Sequence, residues 1–258
     1  MRTRLGKAER ERVLVRGIDL TGELLGSTTF AEMVGIVLLG RRPTAGEARM
    51  LDALLVVLVE HGLVKPVVAA RFVYSNAPES LQAAVAAALL GAGSRHLGSS
   101  EWAARYLQET LAAASADASP ESLAAHVVDS HEGRGERVSG IGHRTHPSGD
   151  PRAVRLFEIA HETETYGRAC ALLEAVAAEA GRRKGRSLPP NVTGAIAAIA
   201  VDLGFRWEIT RAFALIGRTL GALGHIQEEM DEPISDELIR SIQDSVDYDP
   251  SEPSQRSS

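Results

Sequence analysis

The stretch 140–152, GIGHRTHPSGDPR, predicts where a helix begins and what chemistry lies at its first turn. Asp150 followed by Pro151 is typical of a helix N-cap and a first helical position. Arg152 then lies at a helix N-terminus, where free backbone N–H groups and the helix dipole favour an anion. A second guanidinium, Arg218, falls on an apolar helical stripe, so its charge needs either a protein carboxylate or a ligand carboxylate as partner. The sequence therefore predicts a carboxylate-binding site.

Helical periodicity continues on both sides of this stretch. Thr29 with Glu32, and Thr44 with Glu47, match the capping-box pattern that begins a helix. Apolar residues recur at helical spacing over the segments 30–38, 51–58, 81–89, 153–160, 172–180, 195–203 and 213–223. The sequence shows no convincing alternation typical of a strand. We therefore expect an all-α fold.

The composition of the 258-residue chain fits this expectation. Hydrophobic residues make up 44% and aromatic residues only 4%, which favours helices packed through small side chains. A net charge of -6 argues against general attraction to nucleic acid. The single cysteine, Cys170, is interpreted as a core residue of a protein from a reducing compartment. Because we find neither a signal peptide nor the ~18 apolar residues of a membrane helix, we expect a cytoplasmic protein without membrane contact.

Histidines beside glycines are the other candidates for chemistry. His61, His96, His143 and His225 each lie within two residues of a glycine, which lets the backbone turn sharply or approach a ligand. An imidazole there can donate to a carbonyl oxygen or transfer a proton near neutral pH. The grouping favours a site over separate structural roles. His146 lies three residues after His143, but a proline follows it, so we expect no metal.

The stretch 140–152 resembles the signature of citrate synthase, a GxGHR element followed by DPR. Further segments resemble the family in the same order, including EHG at 60–62, HLGS at 96–99 where the family has HGGA, and PNVTG at 190–194 where it has PNVDG. The wording NVTGAIAAIAVDLGF and the short chain are most similar to citryl-CoA lyase, or to the lyase module of ATP-citrate lyase. These similarities cover roughly residues 17–230.

The resemblance implies a citrate synthase-like multi-helical fold with two domains. A large helical domain is expected from 1–100 and 194–246, and a smaller inserted helical domain from 101–193. The polar segment 247–258 lacks aliphatic residues and is predicted to be a disordered tail. By the same resemblance we expect a homodimer or a larger homo-oligomer.

The resemblance also implies roles for individual residues. The catalytic groups would be His96, which polarises the thioester carbonyl, and His143, together with position 193, where the family has an aspartate and this chain has Thr193. The residues implied to bind the dicarboxylate are His61, His143, Arg152 and Arg218. The basic candidates for coenzyme A are Arg95, Arg144 and Lys184. The expected ligands are an acyl-CoA, as substrate or product, and a dicarboxylate or tricarboxylate.

Two departures from the family pattern leave the function open. A threonine hydroxyl cannot act as a base at carbon near neutral pH, and Thr193 is also interpreted as the N-cap of the following helix. Leu97 replaces a glycine, which predicts a narrower pocket or a different acyl group. One hypothesis is an active citryl-CoA lyase in which water or a carboxylate such as Glu101 replaces the aspartate. The others are a dicarboxylate- or CoA-binding protein without this chemistry, and a related carbon–carbon bond reaction on another acyl-CoA.

Overall fold

The computed structural model of the chain describes residues 1–143 and 146–249, except for the side chains of Arg95 and His96. The predicted roles of Arg144, and of the Arg95 and His96 side chains, therefore lie outside the described residues. Among the helices of the described part, none is long and apolar enough to cross a lipid bilayer.

The described chain forms two compact units. The first consists of Met1–His61 and Ala92–Arg218, and the second of Gly62–Gly91 with the described part of 219–258. The predicted division into a large domain and an inserted smaller domain stays a prediction. The predicted disorder of the tail also stays a prediction, because the residues from 250 onward lie outside the described part.

Helices make up most of the described chain, and the all-α class is confirmed. In chain order they are α1 (Phe30–Leu39), α2 (Ala45–Val56), α3 (Lys65–Asn76), α4 (Leu81–Gly91), α5 (Ser94–Ala113), α6 (Pro120–Gly133), α7 (Pro151–Glu162), α8 (Arg168–Lys184), α9 (Val192–Asp202), α10 (Arg211–Asp231) and α11 (Ser235–Asp244). A π-helical turn at Leu20–Leu24 and a 3-10 turn at Trp207–Ile209 add to them.

Local sequence signals explain where the first helices begin and end. Thr29 and Thr44 each accept a hydrogen bond from the backbone N–H three residues later, and Glu32 and Glu47 return the bond, so both capping boxes are confirmed. Gly40 ends α1 in the left-handed conformation, at φ 78°, as the sequence indicates.

Short strands at the start of the chain were not foreseen. Gly6–Ala8 (β1), Val13–Val15 (β2) and Ile18–Asp19 (β3) form an antiparallel sheet in the order β1-β2-β3. No alternating pattern in the sequence indicates these strands. Strands of three residues or fewer are too short for an alternating pattern to stand out from its surroundings.

The core of the first unit is built around α9, which packs against α5, α7 and α8. The residues 195–200 of α9, AIAAIA, are each at most 1% exposed. Alanines let the neighbouring helices approach closely, as the low aromatic content predicts. Cys170 on α8 is also fully buried, which confirms its predicted place in the core, and burial raises the pKa of its thiol.

The second unit has a small core and a buried ion pair. Five buried residues form its core: Ala70, Ala84, Ala88, Ala222 and Ile226. Arg71 on α3 donates to the Glu229 carboxylate at 3.2 Å, and both side chains are at most 5% exposed. Glu229 also accepts the backbone N–H groups of Ile234 and Ser235 at 3.1 Å each. This carboxylate therefore joins α3 and α10 to the start of α11.

Candidate functional site

The loop that carries His143 is docked on the start of α9 by its backbone. Gly142 N donates to the Pro189 carbonyl at 2.7 Å, and Asn191 N donates to the Gly140 carbonyl at 2.9 Å. Gly140 has a φ of 88°, and a Cβ on Gly194 would lie 2.1 Å from its carbonyl oxygen. Only glycine allows this approach, so the two glycines fix the loop against α9.

Gly194→Ala is expected to lower the free energy of unfolding by about 1–3 kcal/mol, because the added methyl group must push the 140–143 loop away from α9. Urea denaturation would measure the change. Gly224→Ala is the matched control, since Gly224 also lies inside a helix but a Cβ there meets nothing within 4 Å. That variant is expected to be stabilised by up to about 1 kcal/mol. Equal effects of the two substitutions would contradict the close contact.

Asn191, and not Thr193, is the N-cap of α9. Its Oδ1 accepts the backbone N–H groups of Thr193 and Gly194, both at 3.1 Å, and its Nδ2 donates to the Gly142 carbonyl at 2.8 Å. The predicted capping role of Thr193 is therefore wrong, because Thr193 already lies inside the helix. Its hydroxyl donates to Asn191 Oδ1 at 2.7 Å. The catalytic role that the resemblance implies for position 193 stays a prediction.

Asp150 joins the starts of α7 and α9. As predicted, it caps α7, accepting the Arg152 backbone N–H at 3.1 Å, and it also accepts the Val192 backbone N–H of α9 at 3.0 Å. Its carboxylate pairs with the Arg152 guanidinium through Nε and Nη2, both at 3.0 Å. Burial opposes ionisation, but these hydrogen bonds hold the pKa of Asp150 below its usual value. One buried carboxylate therefore positions two helix N-termini and one arginine.

Two guanidinium groups contribute positive charge to this region. Arg152 remains 31% exposed at its side chain, although Asp150 occupies two of its donor nitrogens. Burial lowers the pKa of Arg218, the charge of Arg152 lowers it further, and Glu60 opposes both effects. The Nε of Arg218 is buried and has no hydrogen-bond partner among the described residues. A ligand with two carboxylates would relieve both the repulsion and the missing hydrogen bond.

His143 accepts a backbone hydrogen bond in this loop. The backbone N–H of His146 donates to His143 Nδ1 at 3.1 Å. A ring nitrogen that accepts a hydrogen bond carries no proton, so this contact favours the tautomer with the proton on Nε2. The Nε2–H group is then a hydrogen-bond donor suited to a carbonyl oxygen.

The other candidate residues lie in different surroundings. His61 is exposed, and its backbone N–H donates to the Glu60 carboxylate at 2.7 Å. Lys184, at the end of α8, pairs with Glu132 of α6 at 3.4 Å. These placements do not test the binding roles that the resemblance implies for the two residues.

Two residues of α5 concern the departures from the citrate synthase sequence pattern. Leu97 is 7% exposed and belongs to the hydrophobic core. A narrower pocket or a different acyl group stays a prediction. Glu101 is engaged by the Arg211 guanidinium at 2.6 Å.

Sequence reasoning missed three contributors to the site: Asn191, His146 and the Asp150–Arg152 pair. For Asn191 a signal was present, because asparagine two residues before a helical threonine is a strong N-cap candidate.

Among the described residues, no group of three or more His, Cys, Asp or Glu side chains is placed to hold a metal ion.

Comparison with known proteins places this geometry in context. The family described as "Citrate synthase, C-terminal domain" matches residues 17–241. The structure of citryl-CoA lyase from Hydrogenobacter thermophilus is similar over 99% of this chain and 96% of that chain, with a TM-score of 0.85 and 36% identity. ATP citrate lyase from Methanosaeta concilii, solved in complex with (3S)-citryl-CoA, shares the fold, with a TM-score of 0.73 and 20% identity over 98% of this chain and 42% of that chain.

Curated relatives are considerably longer than this chain. Glyoxysomal citrate synthase from Cucurbita maxima is 29% identical over 198 residues, which is 74% of this chain but 37% of that relative. Citrate synthase from Haloferax volcanii is 27% identical over 200 residues, or 75% of this chain and 49% of the relative. The chain therefore spans about half or less of the length of these curated relatives.

Proposed function

The chain belongs to the citrate synthase family, and from this we propose that it interconverts citryl-CoA with acetyl-CoA and oxaloacetate through an altered proton-transfer centre. The observation that carries the proposal is the likeness to citryl-CoA lyase from Hydrogenobacter thermophilus along nearly the full length of both chains. A cytoplasmic location and a homodimer or larger homo-oligomer belong to the same proposal.

The cationic residues would hold the dicarboxylate. Arg218 would fill its missing Nε hydrogen bond with one carboxylate, and Arg152 would offer its remaining donors to another. The Nε2–H group of His143 would donate to the oxygen that alternates between the citryl hydroxyl and the oxaloacetate carbonyl. Such a donor stabilises negative charge as it develops on that oxygen. By resemblance, His61 would add a further contact to the dicarboxylate.

The cleavage reaction needs one proton removed and one proton delivered. The citryl-CoA hydroxyl gives its proton to water, the carbon–carbon bond breaks, and its electron pair forms the acetyl-CoA enolate. That enolate then takes a proton at carbon. His96 would stabilise the enolate oxygen, and Arg95, Arg144 and Lys184 would be the basic partners of coenzyme A, all by resemblance.

Thr193 weakens the proton transfer at carbon. General acids and bases contribute about 100- to 10,000-fold, and a threonine hydroxyl cannot supply this near neutral pH. Glu101 is a poor replacement, because Arg211 already binds its carboxylate. We therefore propose that water delivers the proton, and that turnover is slow.

The Thr193 hydroxyl already donates to Asn191 Oδ1, which favours a second candidate function. A protein that binds the dicarboxylate or the CoA ester without turning it over would use the same arginines and need no group at position 193. A related carbon–carbon bond reaction on another acyl-CoA is a third candidate. It is suggested by Thr193, which stands where the resemblance implies an aspartate.

Calorimetry with oxaloacetate tests the binding site common to these candidates. Arg218→Met is expected to weaken the affinity by about 10- to 100-fold, because a charge-assisted hydrogen bond is lost. Arg206→Met is the control, since Arg206 is 78% exposed and pairs with Glu208. Incubation with citryl-CoA, and with acetyl-CoA plus oxaloacetate, then measures turnover. Binding without turnover would favour the second candidate, and the absence of both would contradict the site.

A further inference from the structure

The hydroxyl of Tyr106, on α5, is bonded to the backbone segment 139–142 that leads to His143. It donates to the Ser139 carbonyl at 3.2 Å. Burial raises the pKa of Tyr106, so the hydroxyl keeps its proton and stays a donor throughout the ordinary pH range. This hydrogen bond attaches the start of the segment to α5.

The same segment lies close to two helices at Gly140. A Cβ on Gly140 would lie 3.2 Å from the Ala103 Cβ of α5 and 2.8 Å from the Gly194 Cα of α9. Further along, backbone hydrogen bonds of Gly140 and Gly142 join the segment to the residues just before α9. The segment is therefore enclosed between α5 and α9, and Tyr106 fixes it on the α5 side.

His131 of α6 holds the Tyr106 ring in place. The two ring centroids are 5.4 Å apart with planes inclined by 82°, an edge-to-face contact. The Nδ1 atom of His131 lies 2.8 Å from the Val127 carbonyl, and because a carbonyl can only accept, Nδ1 is the donor. Tyr106 and His131 are each 9% exposed. The Tyr106 hydroxyl is thus a donor held in position by two helices.

We propose that Tyr106 is a positioning residue for the loop that carries His143. Its effect on a ligand rests on the proposed function, because only the resemblance implies that His143 binds the dicarboxylate. Tyr106 would act through the Ser139 backbone and not by contact with the ligand. Its hydrogen bond would hold the segment 139–142 in one place against α5, so that ordering this loop adds little to the cost of binding.

Tyr106→Phe tests the hydrogen bond, because it removes the hydroxyl and keeps the ring that packs against His131. Tyr106 and Ser139 both line a cleft of about 720 Å³. Water can therefore reach the Ser139 carbonyl in this variant, and the protein is expected to fold.

Gln108→Met is the matched control on the same helix. The Gln108 side chain donates to the Phe205 carbonyl at 3.3 Å and accepts the Trp207 backbone N–H at 2.9 Å. The substitution therefore removes hydrogen bonds of α5 at the turn 205–207 and leaves those of the segment 139–142 in place.

Hydrogen exchange of two backbone amides reads the loop in the ligand-free protein. These are the N–H groups of Gly142, which donates to the Pro189 carbonyl, and of Asn191, which donates to the Gly140 carbonyl. In Tyr106→Phe both are expected to exchange about 2- to 10-fold faster than in the wild type, the range that corresponds to one hydrogen bond. In Gln108→Met their exchange should change by less than about 2-fold.

Calorimetry with oxaloacetate reads the consequence for the site. The affinity is expected to fall about 2- to 10-fold in Tyr106→Phe, because the ligand must draw a displaced loop back at a cost of the order of the lost hydrogen bond. Gln108→Met should bind within about 2-fold of the wild type, since a loss of general stability does not displace the loop.

Several results would overturn the positioning role. Equal acceleration of exchange in the two variants would show a loss of general stability alone, and unchanged exchange in Tyr106→Phe would show that the hydroxyl does not hold the loop. Faster exchange in Tyr106→Phe with unchanged affinity would show that the ordered loop does not serve the site. If the wild type binds no oxaloacetate, the proposed function fails, and the exchange rates alone decide whether Tyr106 positions the loop.

Discussion

Thr193→Asp is expected to raise the rate of citryl-CoA cleavage by about 100-fold or more over the wild type. The variant would place a carboxyl group at the second position of α9, where the resemblance implies an aspartate. The positive end of the helix dipole tolerates a carboxylate there. The supporting frame is already present, because Asn191 caps the helix through the backbone N–H groups of residues 193 and 194. The release of oxaloacetate from citryl-CoA measures the rate.

Thr193→Asn is the matched control for this gain. Asparagine has nearly the shape of aspartate but cannot exchange a proton with carbon, so its rate should stay near that of the wild type. Binding of oxaloacetate should be similar in all three proteins. Equal rates for the aspartate and asparagine variants would show that position 193 is not where the proton is transferred.

Asp150→Ala is expected to lower the free energy of unfolding by about 3 kcal/mol, the lower end of the cost of removing one partner from a buried ion pair. The lower end applies because the Arg152 side chain is 31% exposed. The variant leaves the Arg152 guanidinium unpaired and removes the acceptor of two backbone N–H groups, those of Arg152 and Val192. Urea denaturation would measure the loss of unfolding free energy, with one m-value fitted to both proteins.

Asp19→Ala is the control, because Asp19 also caps a helical turn, the short π-helix Leu20–Leu24. Removing a cap alone costs about 1 kcal/mol. Asp150→Asn adds a test of charge. The pKa of Asp150 is lowered in the folded protein, so its ionised form contributes stability above about pH 4, which is lost as the pH falls further. The gap between wild type and Asp150→Asn should therefore narrow in acid, and a constant gap would contradict the ion pair.

The sequence was most informative where the physical signal is local. The capping boxes at Thr29 and Thr44, and the Asp-Pro start of α7, depend on residues within one helical turn, and the structure confirms them. The family resemblance was equally accessible, since its motifs occur in order along the chain. Short β-strands were not predictable, because two or three residues carry no period.

The side-chain contacts of the candidate site could not be predicted from the sequence. Arg152 was expected to bind a ligand anion, but Asp150 already accepts hydrogen bonds from its Nε and Nη2. This pairing depends on side-chain geometry. The contact between Asp150 and Val192 joins residues about forty positions apart, so no local pattern reveals it. The exchange of roles between Thr193 and Asn191 arose because both residue types are good caps, and their positions differ by only two.

Position 193 can be substituted without removing the cap of α9, because Asn191 supplies that cap. Asn191 and the facing glycines hold the first turn of the helix mainly through backbone groups, and the Thr193 side chain adds a hydrogen bond to Asn191. A mutation at position 193 therefore alters the reactive group while leaving the surrounding frame in place. We therefore expect substitutions at position 193 to change the group presented there with little loss of folding stability.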